Sequence, residues 1–198
     1  TIDETARTQT VTVNPEDVQT LTFYNVPSTT LVIEKYAEGT TTPLKGITFL
    51  VTDSSGAFVG KNNGEYITDE NGRIEITGLT PGDTITAKEI KTIDGYVLDG
   101  SPKSIRITEG EAHTLKFYNE PLCSLTLTKR DAVSGKPVPG TEFTLKDGNG
   151  GIIGKYTTGK DGTVTVTGLV PGSTVVAVET KVPKGYVLNP TPQTIIVK

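Results

Sequence analysis

The sequence predicts an all-β protein made of tandem β-sandwich modules, and three observations lead there. Thr is the most frequent residue type, and Val, Ile, Leu, Tyr and Phe dominate a 34% apolar content that includes no Met and no Trp. Gly, Pro, Asn and Asp punctuate these β-branched runs at regular intervals, and no long run carries helical periodicity. The third observation is an internal repeat. "LVIEKYAEGTTTPLKGITFLV" (31–51) aligns with "LTLTKRDAVSGKPVPGTEFTL" (125–145), and "TGLTPGDTITAKEIKTIDGYVLDGSP" (77–102) with "TGLVPGSTVVAVETKVPKGYVLNPTP" (167–192). The opening stretch "TQTVTVNPEDVQTLTFYNVP" (8–27) matches "PKSIRITEGEAHTLKFYNEP" (102–121). Lys35 and Lys129 are 94 positions apart, and so are Asn25 and Asn119.

One full unit therefore runs from about Leu31 to Asn119, within a module spanning 28–121. Its strands are expected at 31–36, 47–52, 57–60, 65–67, 73–77, 84–90, 103–108 and 113–118. "DSSG" separates the second from the third, "DENG" the fourth from the fifth, and "LTPGD" precedes the sixth. In each, Asp, Gly or Pro supplies the backbone geometry that a tight turn needs. The alternation in "RIEITG" and "TVTVTG" is that of strands with one wet face. A short β-sandwich or prealbumin-like barrel fits this length. The second module, 122–198, reaches "QTIIVK", the counterpart of "KSIRIT", without an "FYN" strand. Residues 1–27 carry such an ending with no body before it, as the tail of a preceding module would.

Each unit offers a Lys on its first strand and a Glu on a late one, and the complete unit adds an Asn on its last. Leu31, Ile33 and Lys35 alternate along one strand face, as do Leu125, Leu127 and Lys129. Ala87 shares a face with Glu89, and Ala177 with Glu179; Asn119 closes the Leu115, Phe117 alternation, and Asn25 closes Leu21, Phe23. The pattern points all of these polar groups inward. A buried Lys and Glu are costly unless paired. One reading is a salt bridge capped by an amide. The other is bond formation. Burial favours the neutral forms of an amine and a carboxyl. The neutral amine then attacks the Asn carbonyl while the protonated Glu polarises that oxygen and shuttles the proton. Ammonia leaves, and a Lys–Asn isopeptide bond remains.

The stretch "GLTPGDTITAKEIKTIDGYVL", the first-strand Lys and the "FYN" ending resemble the B-type domains of the collagen adhesin and the pilin-like repeats of Gram-positive surface proteins. The resemblance covers essentially the whole chain. It implies a prealbumin-like (Ig-like) sandwich with Lys35 as nucleophile, Asn119 as acceptor and Glu89 as catalyst. Lys129 and Glu179 match the pattern too, but their unit has no matching Asn. Asn25 of another molecule is their candidate partner, which makes residues 1–27 a possible route to a homo-polymer. Only about five residues separate Asn25 from Leu31, a reach of at most ~20 Å, so the expectation is complementation between molecules.

A net charge of −4 argues against a basic nucleic-acid surface. No apolar run is long enough to span a membrane. Cys123, the single cysteine, excludes an intramolecular disulfide and falls where a linker is expected. His113 aligns with Gln19 and suggests neither a catalytic triad nor a metal site. "TDENG" and "KDGNGG" lack the calcium-loop ligand pattern and read as hairpin turns. Tyr96 and Tyr186 read as core or corner residues. No cofactor or metal is implied. A turnover enzyme has no support, because the reactive set consumes itself. The expected role is a stalk or spacer repeat of a cell-wall-anchored extracellular adhesin or pilus, beside neighbouring modules of the same protein. The alternative is an adhesive module for host matrix protein or glycan, and a binding panel separates the two.

Overall fold

A period-two pattern buries one face of each strand, so a sheet built from such strands needs a second sheet to cover it. The computed structural model describes residue 18 and residues 29–198, and there two compact units are resolved. Residues 29–93 and 98–119 form the first; residues 94–97 and 120–198 form the second.

In the first unit β1 (Thr30–Ala37), β4 (Arg73–Thr77) and β7 (Ala112–Asn119) form one sheet, ordered β4-β1-β7. The facing sheet is β3-β2-β5-β6, from β2 (Thr48–Thr52), β3 (Glu65–Ile67), β5 (Thr84–Lys91) and β6 (Lys103–Arg106). Leu31, Ile33 and Phe117 from the first sheet meet Phe49, Val51 and Ala87 from the second, all buried. The Phe49 and Phe117 rings lie 4.8 Å apart, tilted by 59°. Burying each such ring is worth roughly 1.5–3 kcal/mol.

The central sheet pairs β1 with β7 in parallel, the first strand of the unit beside its last, through all eight residues from Thr30↔Ala112 to Ala37↔Asn119. The turn before β4 locks β1 from the other side. Asp69 Oδ1 accepts from the Asn71 and Arg73 amides, which spends "TDENG" on turn geometry. Gly72 sits at φ +67°, and a Cβ there would come within 2.4 Å of the Lys35 carbonyl oxygen. Only glycine fits. Its own carbonyl accepts from the Lys35 amide at 2.8 Å, so the turn fixes the backbone of the inward lysine. Gly162 repeats this against Lys129, with φ +72° and a Cβ at 2.5 Å from that carbonyl.

The second unit contains β8 (Cys123–Thr128), β9 (Glu142–Asp147), β10 (Ile152–Thr157), β11 (Thr163–Leu169), β12 (Thr174–Lys181) and β13 (Gln193–Ile196). Its sheets are β11-β8 and β10-β9-β12-β13. Leu145, Val166, Leu169, Val175 and Val197 form the core, while Leu125, Leu127, Phe143 and Ala177 are only half-buried. Their first-unit counterparts Leu31, Ile33, Phe49 and Ala87 are fully buried. The difference is the strand beside β1, which has no counterpart beside β8 among the described residues. Asp147 Oδ1 is taken by the Asn149 and Gly151 amides, so "KDGNGG" is also a turn.

Two expectations are corrected and a third is narrowed to its corner alternative. Residues 57–60 form no strand: Phe58 makes a single bridge to Thr52, and Gly60 at φ +78° ends the run. Asn62 and Asn63, both at positive φ, then turn the chain so that β3 takes the place beside β2. Cys123 is not in a linker; it heads β8 opposite Leu169 and packs against the second core. Tyr186, beside Asp131, is 40% exposed and so is not a core residue. The expected strands in residues 1–27, and Asn25 itself, lie outside the described residues.

Candidate functional site

Lys35 and Asn119 come from adjacent parallel strands, and their diagonal register sets the distance between them. Lys35 pairs with Phe117 and Ala37 with Asn119, so the two side chains emerge on the same face, one step apart along the sheet. Glu89 enters from the opposite sheet, where β5 places it across from Phe49. The three side chains meet between the sheets. Lys35 and Glu89 are 0% exposed and Asn119 is 1% exposed.

Every member of the set touches the other two. Lys35 Nζ lies 2.6 Å from Glu89 Oε2 and donates to Asn119 Oδ1 at 2.6 Å. Asn119 Nδ2 donates to Glu89 Oε1 at 2.7 Å. Glu89 Oε2, the oxygen nearest Nζ, makes the buried ion pair with Lys35. That oxygen keeps a lone pair free to take a proton. The Phe117 ring, its centroid 6.0 Å from Nζ, walls the chamber. Burial pushes the Lys35 amine below its ordinary value, against the opposing pull of the Glu89 carboxylate. Asp99 and Lys103 act on it more weakly and in opposite directions.

Glu89 contacts the amide nitrogen of Asn119, whereas the sequence pattern pointed it at the carbonyl oxygen. The contact on Oδ1 comes from the lysine itself. The carboxyl is therefore aimed at the atom that leaves as ammonia if the amine attacks Cγ. Thr92, just past β5, was not singled out by the pattern: its Oγ1 accepts from Asn119 Nδ2 at 2.8 Å. It lies beyond the alternating strand, in a turn where periodicity says nothing; the second unit has Val182 at this position. If Lys35 and Asn119 condense, Thr92→Val is expected to leave a fraction of molecules uncondensed, with Thr92→Ser restoring the reaction. Intact-mass spectrometry of both variants checks this.

His113 is half of a turn device: its Nε2 accepts from the Thr108 amide at 2.9 Å. In the second unit, Lys129 Nζ sits 3.0 Å from Glu179 Oε1 and 3.2 Å from Oε2. The Asn189 amide donates to Oε2 at 3.1 Å. The lysine side chain is 25% exposed and Glu179 is buried. No Asn side chain bridges the pair among the described residues, so this half-site is an ion pair at the floor of an open groove.

The family model for the SpaA prealbumin-like fold domain matches residues 29–121 and 123–198. Serine-aspartate repeat-containing protein F of Staphylococcus epidermidis is 32% identical over 150 residues, covering 64% of this chain and 9% of that protein. Bone sialoprotein-binding protein of Staphylococcus aureus is 32% identical over 142 residues, covering 60% of this chain and 12% of that protein. This chain thus spans about a tenth of the length of these relatives. Among solved structures, the Streptococcal ancillary pilin matches in fold, with a TM-score of 0.51 at 23% identity, covering 86% of this chain and 59% of that one.

Proposed function

The chain belongs to the SpaA prealbumin-like fold domain family, and on that premise we propose that it is a spacer of a Gram-positive surface adhesin or pilus, closed by an autocatalytic Lys35–Asn119 isopeptide bond. The observation that carries this reading is the closed triangle of buried contacts among Lys35, Glu89 and Asn119. Lys35 passes a proton to Glu89, and the neutral Nζ attacks Asn119 Cγ. Glu89 returns that proton to Nδ2, the Cγ–Nδ2 bond breaks, ammonia departs, and the freed carboxylate takes the second proton from Nζ to leave a neutral secondary amide. An amine and a primary amide become a secondary amide and ammonia, so atoms and charge balance. The reaction runs once per molecule. It is general acid–base and nucleophilic chemistry without turnover.

The bond suits a module under tension. It joins residues 84 apart in sequence, which the chain-entropy treatment of cross-links values at roughly 4–5 kcal/mol. Because β1 and β7 are parallel, Lys35 and Asn119 lie at the same end of the pair. Force that enters at Thr30 runs up β1 to Lys35, crosses to Asn119 and leaves, so residues 36–118 stay outside the path. The proposed setting is extracellular and cell-wall-anchored, with neighbouring modules as partners. Intact-mass spectrometry tests the reading: a mass one ammonia below the sequence value is expected, and the full sequence mass would contradict it.

The same reading makes Lys129 and Asn25 an intermolecular pair with Glu179 as catalyst; denaturing electrophoresis that yields only monomer would rule out a covalent link there. A second reading, adhesion to host matrix protein or glycan, is favoured by the name of one relative, bone sialoprotein-binding protein. Binding to a matrix-protein and glycan panel tests it.

A further inference from the structure

Strand β6 turns a lysine toward the space between the sheets. β5 and β6 pair antiparallel with Ala87 opposite Lys103, and directly opposed residues share one face of a sheet. Ala87 is fully buried and lies two residues from Glu89 on the same face. The Lys103 stem therefore starts on the face that carries Glu89. Its ammonium lies 5.0 Å from the centroid of the Phe117 ring and donates to the Lys116 carbonyl at 2.5 Å. Phe117 and Lys116 belong to β7, so the side chain crosses from one sheet to the other at the rim of the chamber.

An inward-pointing charge on a terminal strand protects that edge from unwanted pairing. Two observations give this one a part in the chemistry as well. Phe117 is also the ring beside the nucleophile, 6.0 Å from Lys35 Nζ, so both ammonium groups stand at one aromatic ring. Burial has the largest influence on the Lys35 amine; after it, Glu89 and Asp99 favour the charged form and Lys103 opposes it.

Asp99 is fixed by a turn of its own on the connection into β6. Its Oδ1 accepts from the Ser101 amide at 3.0 Å. The Ser101 hydrogen bonds hold this carboxyl below the usual carboxylate range, and Lys35 and Lys103 pull the same way. The connection runs across the backbone of the catalytic glutamate: a Cβ on Gly100 would meet the Glu89 carbonyl oxygen at 3.9 Å.

We propose that Lys103 is a positioning residue for the Lys35–Asn119 condensation: its ammonium, held against Phe117 by the Lys116 carbonyl, disfavours positive charge on Lys35 and so enriches the neutral amine that attacks, with Asp99 as the opposing weight. On the stapled-spacer reading, on which this inference rests, the resting pair is a charged Lys35 and an ionised Glu89. The reactive pair differs by one proton moved between them. The proton count is the same in both, so fixed charges around the pair set the ratio and bulk pH does not. A cation near the amine tips the ratio toward the neutral form, and a carboxylate tips it back.

The second unit supplies uncharged versions of both positions on the same backbone. Asn189 stands for Asp99, with its Oδ1 accepting from the Thr191 amide, and Gln193 stands for Lys103, opposite Ala177. The turn and the strand pairing therefore tolerate Asp99→Asn and Lys103→Gln.

The test follows the branched Lys35–Asn119 peptide by tandem mass spectrometry after pulse synthesis of the full chain, over time and over pH. Lys103→Gln and Lys103→Met are expected to condense roughly threefold to tenfold more slowly than wild type, since Lys103 is exposed and its field is partly screened. Lys103→Arg keeps the charge and is expected to match wild type. Asp99→Asn is expected to be faster. The alkaline limb of the pH–rate profile marks loss of the last proton that the pair can give to the departing ammonia. It is expected to move up in pH for Lys103→Gln and down for Asp99→Asn. A purely structural role would slow the arginine variant too and leave the limb where it is, and either result would overturn the proposal. Wild-type rates in Lys103→Gln and Lys103→Met, beside a wild type that condenses, would overturn it alone. A wild type that never yields the branched peptide would overturn the staple and this inference together.

Discussion

Glu89→Ala is expected to leave the chain at its own full sequence mass, with no ammonia lost, and to collapse the stability of the first unit. Two effects combine. Without a carboxyl to take and return the proton, the cross-link does not form, and roughly 4–5 kcal/mol of chain-entropy stabilisation is lost. The Lys35 amine is also left fully buried with no counter-charge, and breaking such a pair from one side costs about 3–5 kcal/mol. The sum is of the order of the whole stability of a small domain, about 5–15 kcal/mol. Glu89→Gln separates the two effects. It keeps the volume and a hydrogen-bonding amide but cannot shuttle the proton, so it too should keep its ammonia while losing less stability than the alanine variant. Calorimetry with intact-mass spectrometry reads both. A Glu89→Ala chain one ammonia below its own sequence mass, with the wild-type melting temperature, would contradict the mechanism.

The second large effect is an asymmetry between matching lysines. Lys35→Ala removes the nucleophile and leaves Glu89, 0% exposed, without its cation. A loss comparable to that of Glu89→Ala is expected in the first unit. Lys129→Ala touches an ion pair whose lysine is a quarter exposed and whose groove is open to water. Its effect is expected to be on the order of 1 kcal/mol, near the range for exposed pairs. The measurement is thermal unfolding of the two variants side by side. Equal effects would mean that the first site is only an ordinary salt bridge.

Much of this site was legible from spacing alone. Period-two alternation carried Lys35 inward with Leu31 and Ile33, Glu89 with Ala87, and Asn119 with Leu115 and Phe117, and the sheets place all three between the layers. The repeat matched Lys129 to Lys35 and Glu179 to Glu89, and both pairs are in contact. What pattern could not reach lies off the strands. Thr92 sits in the turn after β5, where no periodicity constrains direction. The orientation of the Asn119 amide depends on all its partners at once, so Glu89 was assigned to the oxygen and meets the nitrogen instead. "AFVG" (57–60) has the apolar content of a strand, but Asn62 and Asn63 in left-handed geometry return the chain to β2 through β3. Cys123 was read as linker because nothing in its immediate sequence reveals that β8 begins with it, opposite Leu169. Tyr186 matches Tyr96 by alignment, but the two positions differ in exposure, since only Tyr96 bridges to Pro121.

Total mass alone can be imitated. Asn63–Gly64, Asn71–Gly72 and Asn149–Gly150 are Asn-Gly pairs in which succinimide closure also expels ammonia. The deciding measurement is therefore site-resolved: proteolysis of the denatured chain followed by tandem mass spectrometry of the peptides that contain Lys35 and Asn119. The stapled account predicts one branched species in which these two peptides are joined through Nζ and Cγ, one ammonia lighter than their sum. Two separate linear peptides, each at its unmodified mass, would contradict it.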